Sequence, residues 1–305
     1  MIQITRILCP IDFSDQSRHA LDHAVAFARW YGAKVSVLHV HALTSPTFAG
    51  GPYVGLEGLQ PMSLSDVERG ELVQAVNEFV EADRAAGTPI DTLLHEDVSV
   101  PGAIIDHATS LAADLIVLGT HGRSGFERLV LGSVAEKVLR RSPVPTLTVP
   151  PRAADAVPRT PGSIERVLCA VDFSDSSRAA LAHALSVAEL AHAAVTVLHV
   201  VELLPDLSEM PAYDVTAYRQ ARFDDARARL AGMIPGDARA ALSVRELLLA
   251  GRPAREILQV ASEQQAGLIV VGVHGRGVVD RMFFGATAHH VVRQAGCPVL
   301  TVRMP

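Results

Sequence analysis

The chain has 305 residues, of which 49% are hydrophobic and 20% charged, and it carries a net charge of −6. That length accommodates two domains of ordinary size, each able to bury its own core, and the composition excludes a disordered chain. No basic stripe marks a nucleic-acid or anionic membrane partner, and no apolar run approaches the roughly 20 residues of a membrane span.

Taken in chain order, MIQITRILCP lacks the charged and apolar regions of a signal peptide, and a cytoplasmic chain is expected. Ile7–Ile11 reads as a short buried strand, Ser14–Trp30 as an amphipathic helix, and Val35–Val40 as a second strand. The Gly/Pro-rich stretch 44–61 reads as a loop. Ser65 and Glu68 have capping-box spacing and open a helix to about Ala86, with Gly87 as its stop. Ile90–Leu94 is a third strand. Pro101 sits in the first turn of a helix ending near Ala112. Leu115–Leu118 is a fourth strand ending at Gly119, Ser133–Arg141 the last helix and Val144–Val149 the last strand.

The second half repeats the first. Residues 9–40 and 169–200 share 18 identities in 32 positions at an offset of 160. GTHGRSGFERLVLGS at 119–133 matches GVHGRGVVDRMFFGA at 272–286 at an offset of 153, so the first copy holds extra residues between these blocks, most simply in 44–61. Strands are expected near 167–171, 195–200, 243–249, 268–271 and 298–302. The expected division is copy one over 1–150, a Pro/Ala-rich linker over 151–163, and copy two over 164–305. Alternating strands and helices predict α/β architecture: two tandem Rossmann-like domains, each a five-stranded parallel-type sheet with helices on both faces.

In such sheets ligands bind beyond the carboxyl ends of the strands, where the strand order reverses. With the order 3-2-1-4-5, Asp12 and the loop after Gly119 face one crevice. That loop reads Gly119-x2-Gly122-x9-Gly132-Ser133. Gly119 permits close approach of backbone and ligand, and Gly122 can take positive φ. Gly132-Ser133 opens a helix whose free N–H groups favour phosphate. His121 and Arg123 add polar or cationic side chains.

These motifs resemble the universal stress protein family, whose pattern is G-x2-G-x9-G-[S/T] with an early strand ending in Asp and a second ending in LHV. Both copies carry them, as Ile11-Asp12-Phe13-Ser14 with Leu38-His39-Val40, and Val171-Asp172-Phe173-Ser174 with Leu198-His199-Val200. The resemblance covers both copies and implies an adenine nucleotide alpha hydrolase-like fold that binds ATP, with Mg²⁺ able to ride on the phosphates. It implies that the backbones of Val40 and Val200 meet the adenine, and that Asp12 and Asp172 lie beside base or ribose. Gly119, Gly122, Gly132, Ser133 and Val134 would hold ribose and phosphates, matched in copy two by Gly272, Gly275, Gly285, Ala286 and Thr287. His274 and Arg276 repeat His121 and Arg123. Ala286 departs from the pattern, which predicts the weaker site in copy two.

Plainer readings stand beside these. Asp12 and Asp172, or Ser14 and Ser174, can cap the helix that follows. His121 and His274 can stabilise a turn. His39 and His41 lack a third ligand, so no metal site is expected. His289 and His290 read as ordinary helix surface. Cys9 and Cys169 read as core residues, and three unpaired thiols suit a reducing compartment. A nucleotide-binding regulatory protein, a slow ATP hydrolase, and an interaction module with a vestigial second pocket all remain open. No GxxxxGK[ST] loop and no nucleophile–base–orienter set supports a dedicated enzyme. The apolar last strands should lie at sheet edges. They could pair within the chain as a pseudo-dimer, with a homodimer of whole chains also open.

Overall fold

A computed structural model describes residues 2–43, 63–120, 131–151, 163–202, 212–273 and 284–303, except the side chains of 212–215. Copy one runs β1 (Arg6–Ile11), α1 (Asp15–Tyr31), β2 (Lys34–Ala42), α2 (Asp66–Ala85), β3 (Ile90–Asp97), α3 (Val100–Ser110), β4 (Leu115–Gly119), α4 (Ser133–Arg141) and β5 (Thr146–Val149). Copy two runs β6 (Arg166–Ala170), α5 (Asp175–Ala191), β7 (Ala194–Val201), α6 (Ala212–Met233), α7 (Gly236–Ala241), β8 (Val244–Ala250), α8 (Pro253–Glu263), β9 (Leu268–Gly272), α9 (Ala286–Gln294) and β10 (Val299–Val302).

The strands form one sheet in the order β3-β2-β1-β4-β5-β10-β9-β6-β7-β8. Each half therefore has the 3-2-1-4-5 order on which a shared crevice between β1 and β4, or β6 and β9, depends. Pairing is parallel within each half, and the halves meet through antiparallel β5 and β10, with Leu147 opposite Leu300. The seam has approximate two-fold character. Thr148 Oγ1 donates to the Val299 carbonyl and Thr301 Oγ1 to the Thr146 carbonyl, both at 3.1 Å. Edge strands thus satisfy each other inside the chain, which removes two exposed edges.

Strand alternation divides the core. Ile7 and Cys9 of β1 face one side and Leu8 the other. The first side is covered by α1, α2, α5 and α6, through Phe27, Val76, Val80, Val187 and Leu230, all 1% exposed or less. The second is covered by α3, α4, α8 and α9, through Ile104, Val138, Ile257 and Val291. Two three-layer halves share both cores, and Tyr31 of α1 donates to Ser186 of α5 at 3.2 Å across them.

Several elements match the sequence closely. The Ser65–Glu68 capping box is formed in both directions, and α4 has the bounds expected. Others differ for physical reasons. β3 continues to Asp97 because β2 continues to Ala42 and keeps pairing, Val40 with His95 through Ala42 with Asp97. At this sheet edge His95 and Asp97 are partly exposed and Glu96 is paired with Arg69, so their polarity does not end the strand. β5 begins at Thr146, since Ser142 Oγ and Val144 form a local turn. Short α7 has no counterpart in the sequence reading. The offset between copies falls from 160 at β2/β7 to 154 at β3/β8 and 153 at β4/β9, so nearly all the extra residues lie between β2 and β3. The 44–61 loop, and all of the 151–163 linker but Pro151 and Ser163, lie outside the described residues.

Candidate functional site

A cleft of about 380 Å³ opens in copy two beyond the carboxyl ends of β6, β7 and β9. Asp172 lines it from the β6–α5 turn and Ser177 from the first turn of α5, His199, Val200 and Glu202 from the end of β7, and Gly272 and Val273 from the end of β9. Gly285, Ala286 and Thr287 supply the start of α9, and Arg222 reaches it from α6. Its volume falls in the range of about 300–1,000 Å³ usual for small-molecule sites.

The β6–α5 turn is built the same way in both copies. Ser174 caps α5 by accepting from Ser177 N at 3.2 Å, and Asp172 Oδ1 stands behind it, accepting from Ser174 N at 3.0 Å and Oγ at 2.5 Å. In copy one Ser14 caps α1, and Asp12 Oδ1 accepts from Ser14 N at 3.1 Å and Oγ at 2.5 Å. The aspartates are therefore not the caps; each fixes the serine that is. Between them Phe13 and Phe173 take φ of 64° and 66°, a left-handed conformation costly for an aromatic residue. His39 and His199 hold those rings, with centroids at 4.6 and 4.2 Å. Each imidazole is anchored in turn by its Nδ1, 3.0 Å from the Ile11 carbonyl and 2.7 Å from the Val171 carbonyl. That contact makes Nδ1–H the donor. Burial pushes the His199 pKa down, as do Arg229 and Arg222, while the Val171 hydrogen bond and Asp172 pull it up. The histidines of the two LHV segments are thus buttresses of a strained turn, a role that strand periodicity does not reveal.

The glycines also have packing partners. A Cβ on Gly272 would lie 2.8 Å from Ser176 C and Ser177 N, so the end of β9 closely approaches the first turn of α5. A Cβ on Gly285 would lie 2.7 Å from the Val273 carbonyl, to which Gly285 N donates at 2.9 Å. In copy one Gly132 N donates to the Thr120 carbonyl at 2.7 Å. These contacts pin the start of α4 or α9 on the end of the neighbouring strand. Gly132 and Gly285 are N-caps without a side-chain cap hydrogen bond, which leaves first-turn N–H groups to seek an acceptor.

The structure brings Asp172, Val200, Gly272, Gly285, Ala286 and Thr287 together around the cleft. In copy one Asp12, Val40, Gly119, Gly132, Ser133 and Val134 hold the equivalent places on β1, β2, β4 and α4. His121, Gly122, Arg123, His274, Gly275 and Arg276 lie outside the described residues. Ser177, Glu202 and Arg222 are cleft residues that the motifs did not supply. His289 is not ordinary surface: it is half-buried, edge-on to Phe284 at 6.1 Å and 4.0 Å from Glu136 of the other copy. No group of three or more potential metal ligands occurs among the described residues, and no helix there is long and apolar enough to cross a membrane.

A family model described as the universal stress protein family matches residues 3–150 and again 163–303. A universal stress protein of Mycolicibacterium smegmatis is 28% identical over 304 residues, covering 97% of this chain and 96% of that protein. One from Thermus aquaticus is 38% identical over 141 residues, 45% of this chain and 97% of its own length. The crystal structure of a universal stress protein from Archaeoglobus fulgidus superposes with a TM-score of 0.68 at 24% identity, covering 99% of both chains.

Proposed function

The chain belongs to the universal stress protein family, and from that premise we propose that each copy holds an adenine nucleotide, ATP in the first instance, as a regulatory ligand. The observation that carries this reading is the convergence of Asp172, Val200, Gly272, Gly285, Ala286 and Thr287 on one cleft at the switch point of the copy-two sheet. The backbone of Val200, buried at the end of β7, offers a donor and an acceptor to the base. Asp172 lies beside it for the ribose. The uncapped first turn of α9 and Thr287 face the phosphates. Val40, Asp12, Gly119, Gly132, Ser133 and Val134 are assigned the same roles in copy one. His121, Gly122, Arg123 and their copy-two equivalents His274, Gly275 and Arg276 are assigned to the phosphate loop on sequence alone. Among the described residues no group of three or more potential ligands gathers, so Mg²⁺ would arrive with the phosphates.

Ala286 stands where copy one has Ser133, so the first residue of α9 lacks the hydroxyl that opens α4. A hydrogen bond to a charged group contributes about 1.5–3 kcal/mol, so copy two should hold the phosphates roughly ten- to a hundredfold less tightly. The sequence carries no GxxxxGK[ST] loop, which favours a binding protein over a P-loop hydrolase. Three cysteines outside any disulfide, two of them buried, favour a cytoplasmic setting.

The test is to denature purified protein, identify any released nucleotide, and then titrate stripped protein with ATP by calorimetry. Two sites of unequal affinity, with the weaker strengthened in Ala286→Ser, are expected. Absence of both released nucleotide and binding heat would sink the reading and leave an interaction module. Phosphate release measured alongside separates binding from turnover.

A further inference from the structure

The two copies are not equivalent around the ends of β2 and β7, away from α4 and α9. The buried pair Val76 and Val80 of α2 answers Ala226 and Leu230 of α6. Phe79 touches Phe13 edge-on at 5.8 Å, while Arg229 lies 4.2 Å over Phe173 in the same place. All three matches fix one offset of 150, which sets Arg222 against Leu72. The offset of 160 between β2 and β7 sets Glu202 against Ala42. Where copy one has a half-buried leucine and an exposed alanine, copy two has an arginine and a glutamate lining the cleft.

Their position along the cleft decides what they would meet. The sheet runs β9-β6-β7-β8, and α9 starts from the end of β9. Glu202 follows β7, two strands away, about 10 Å by the strand spacing. α6, which carries Arg222, packs on β7 and β8. Both side chains therefore stand by Val200 at the base end and not at the phosphate end. Arg222 makes no ion pair with another described residue. A guanidinium is suited to lie on an aromatic face, and a carboxylate is acceptor-only, so it reads a base edge that carries N–H donors.

Resting on the nucleotide reading above, we propose that Glu202 and Arg222 form a base-reading rim in copy two, one that the matching Ala42 and Leu72 of copy one do not repeat. Arg222 lies over the purine face and Glu202 accepts from the exocyclic amine. The rim makes copy two selective for an amino-purine nucleotide over its 6-oxo analogue, a contribution that Ala42 and Leu72 do not make in copy one.

The experiment is photolabelling of the full chain with 8-azido-ATP, competed by ATP or inosine triphosphate, with labelled peptides mapped to each copy. In wild type, ATP should displace label from copy-two peptides at a concentration at least about tenfold below inosine triphosphate, as expected for one hydrogen bond to a charged group. E202Q should cut that preference by about tenfold or more. R222L should weaken both competitors alike, by about two- to thirtyfold, because a stacked cation does not read the amine. Copy-one peptides should respond like wild type in both variants and serve as the internal control. Unchanged preference in E202Q, or an R222L loss specific to triphosphate and absent with adenosine, overturns the rim. Failure of wild-type copy two to be labelled at all overturns the nucleotide reading of that cleft together with the rim, a result distinct from labelling without selectivity.

Discussion

Gly272→Ala separates two accounts of the glycine at the end of β9. If the glycine exists to let a ligand approach, the ligand-free protein should tolerate a methyl group there. The structure says otherwise. The new Cβ would lie 2.8 Å from Ser176 C and Ser177 N and 2.9 Å from Ser176 Oγ, where ordinary contact begins at 3.4 Å. Two of these atoms are backbone at the first turn of α5, so relief requires the helix to retreat by about half an ångström from a close-packed sheet. Overpacking of this kind costs about 1–3 kcal/mol. At about 2–4 °C per kcal/mol for a unit of this size, the midpoint should fall by about 2–12 °C. The assay is thermal and urea denaturation of nucleotide-stripped protein, with Gly70→Ala as control. Gly70 is in α2 with nothing within 4 Å of its added Cβ, so that variant should gain about 0.5–1 kcal/mol. Ligand-free stability unchanged in Gly272→Ala, together with weakened nucleotide binding, would refute the packing argument and return the glycine to the ligand.

Burial pushes the Cys9 thiol from its ordinary 9.0 up to about 12. The folded chain keeps this proton where the unfolded chain loses it, so stability is full below pH 9 and falls between pH 9 and 12. The slope is about 1.4 kcal/mol per pH unit. Urea melts across that range should be flatter in Cys9→Ala, and equal slopes would contradict the assignment. Thiol titration of the folded chain should find half-buried Cys297 reactive and Cys9 and Cys169 silent until denaturant is added. His192 closes α5 with φ of 53°, where α1 has Gly32 at 66°. His192→Gly should stabilise the protein by about 1 kcal/mol and Gly32→Ala should destabilise it by about as much, both read from denaturant midpoints. Thr148→Val and Thr301→Val each remove one hydroxyl-to-carbonyl bond from the seam and should cost similar amounts, about 0.5–1.5 kcal/mol each. A large inequality between them would argue against the two-fold character of the β5–β10 pairing.

The sequence alone determined the repeat, the alternation of strands and helices and the residues at the strand ends. These follow from local signals: short apolar runs, the Ser65–Glu68 cap, and glycine spacing that recurs in both copies. Chemistry of that kind is written in neighbouring residues. Only the tertiary structure decided what each glycine is close to, because Gly272 meets Ser176 and Ser177 some 95 residues earlier in the chain. It alone turned Asp12 and Asp172 from candidate caps into the groups that fix Ser14 and Ser174. It also showed His39 and His199 holding aromatic residues at positive φ. Arg222 and Glu202 belong to no motif, and a helix surface arginine has no sequence signature of the cleft it borders. The pairing of β5 with β10 was open between an intrachain and an interchain partner, since an edge strand's unpaired N–H and C=O groups accept either. The folded chain brings its own second edge within reach, and that proximity is a property of the whole path of the backbone, which no local pattern encodes.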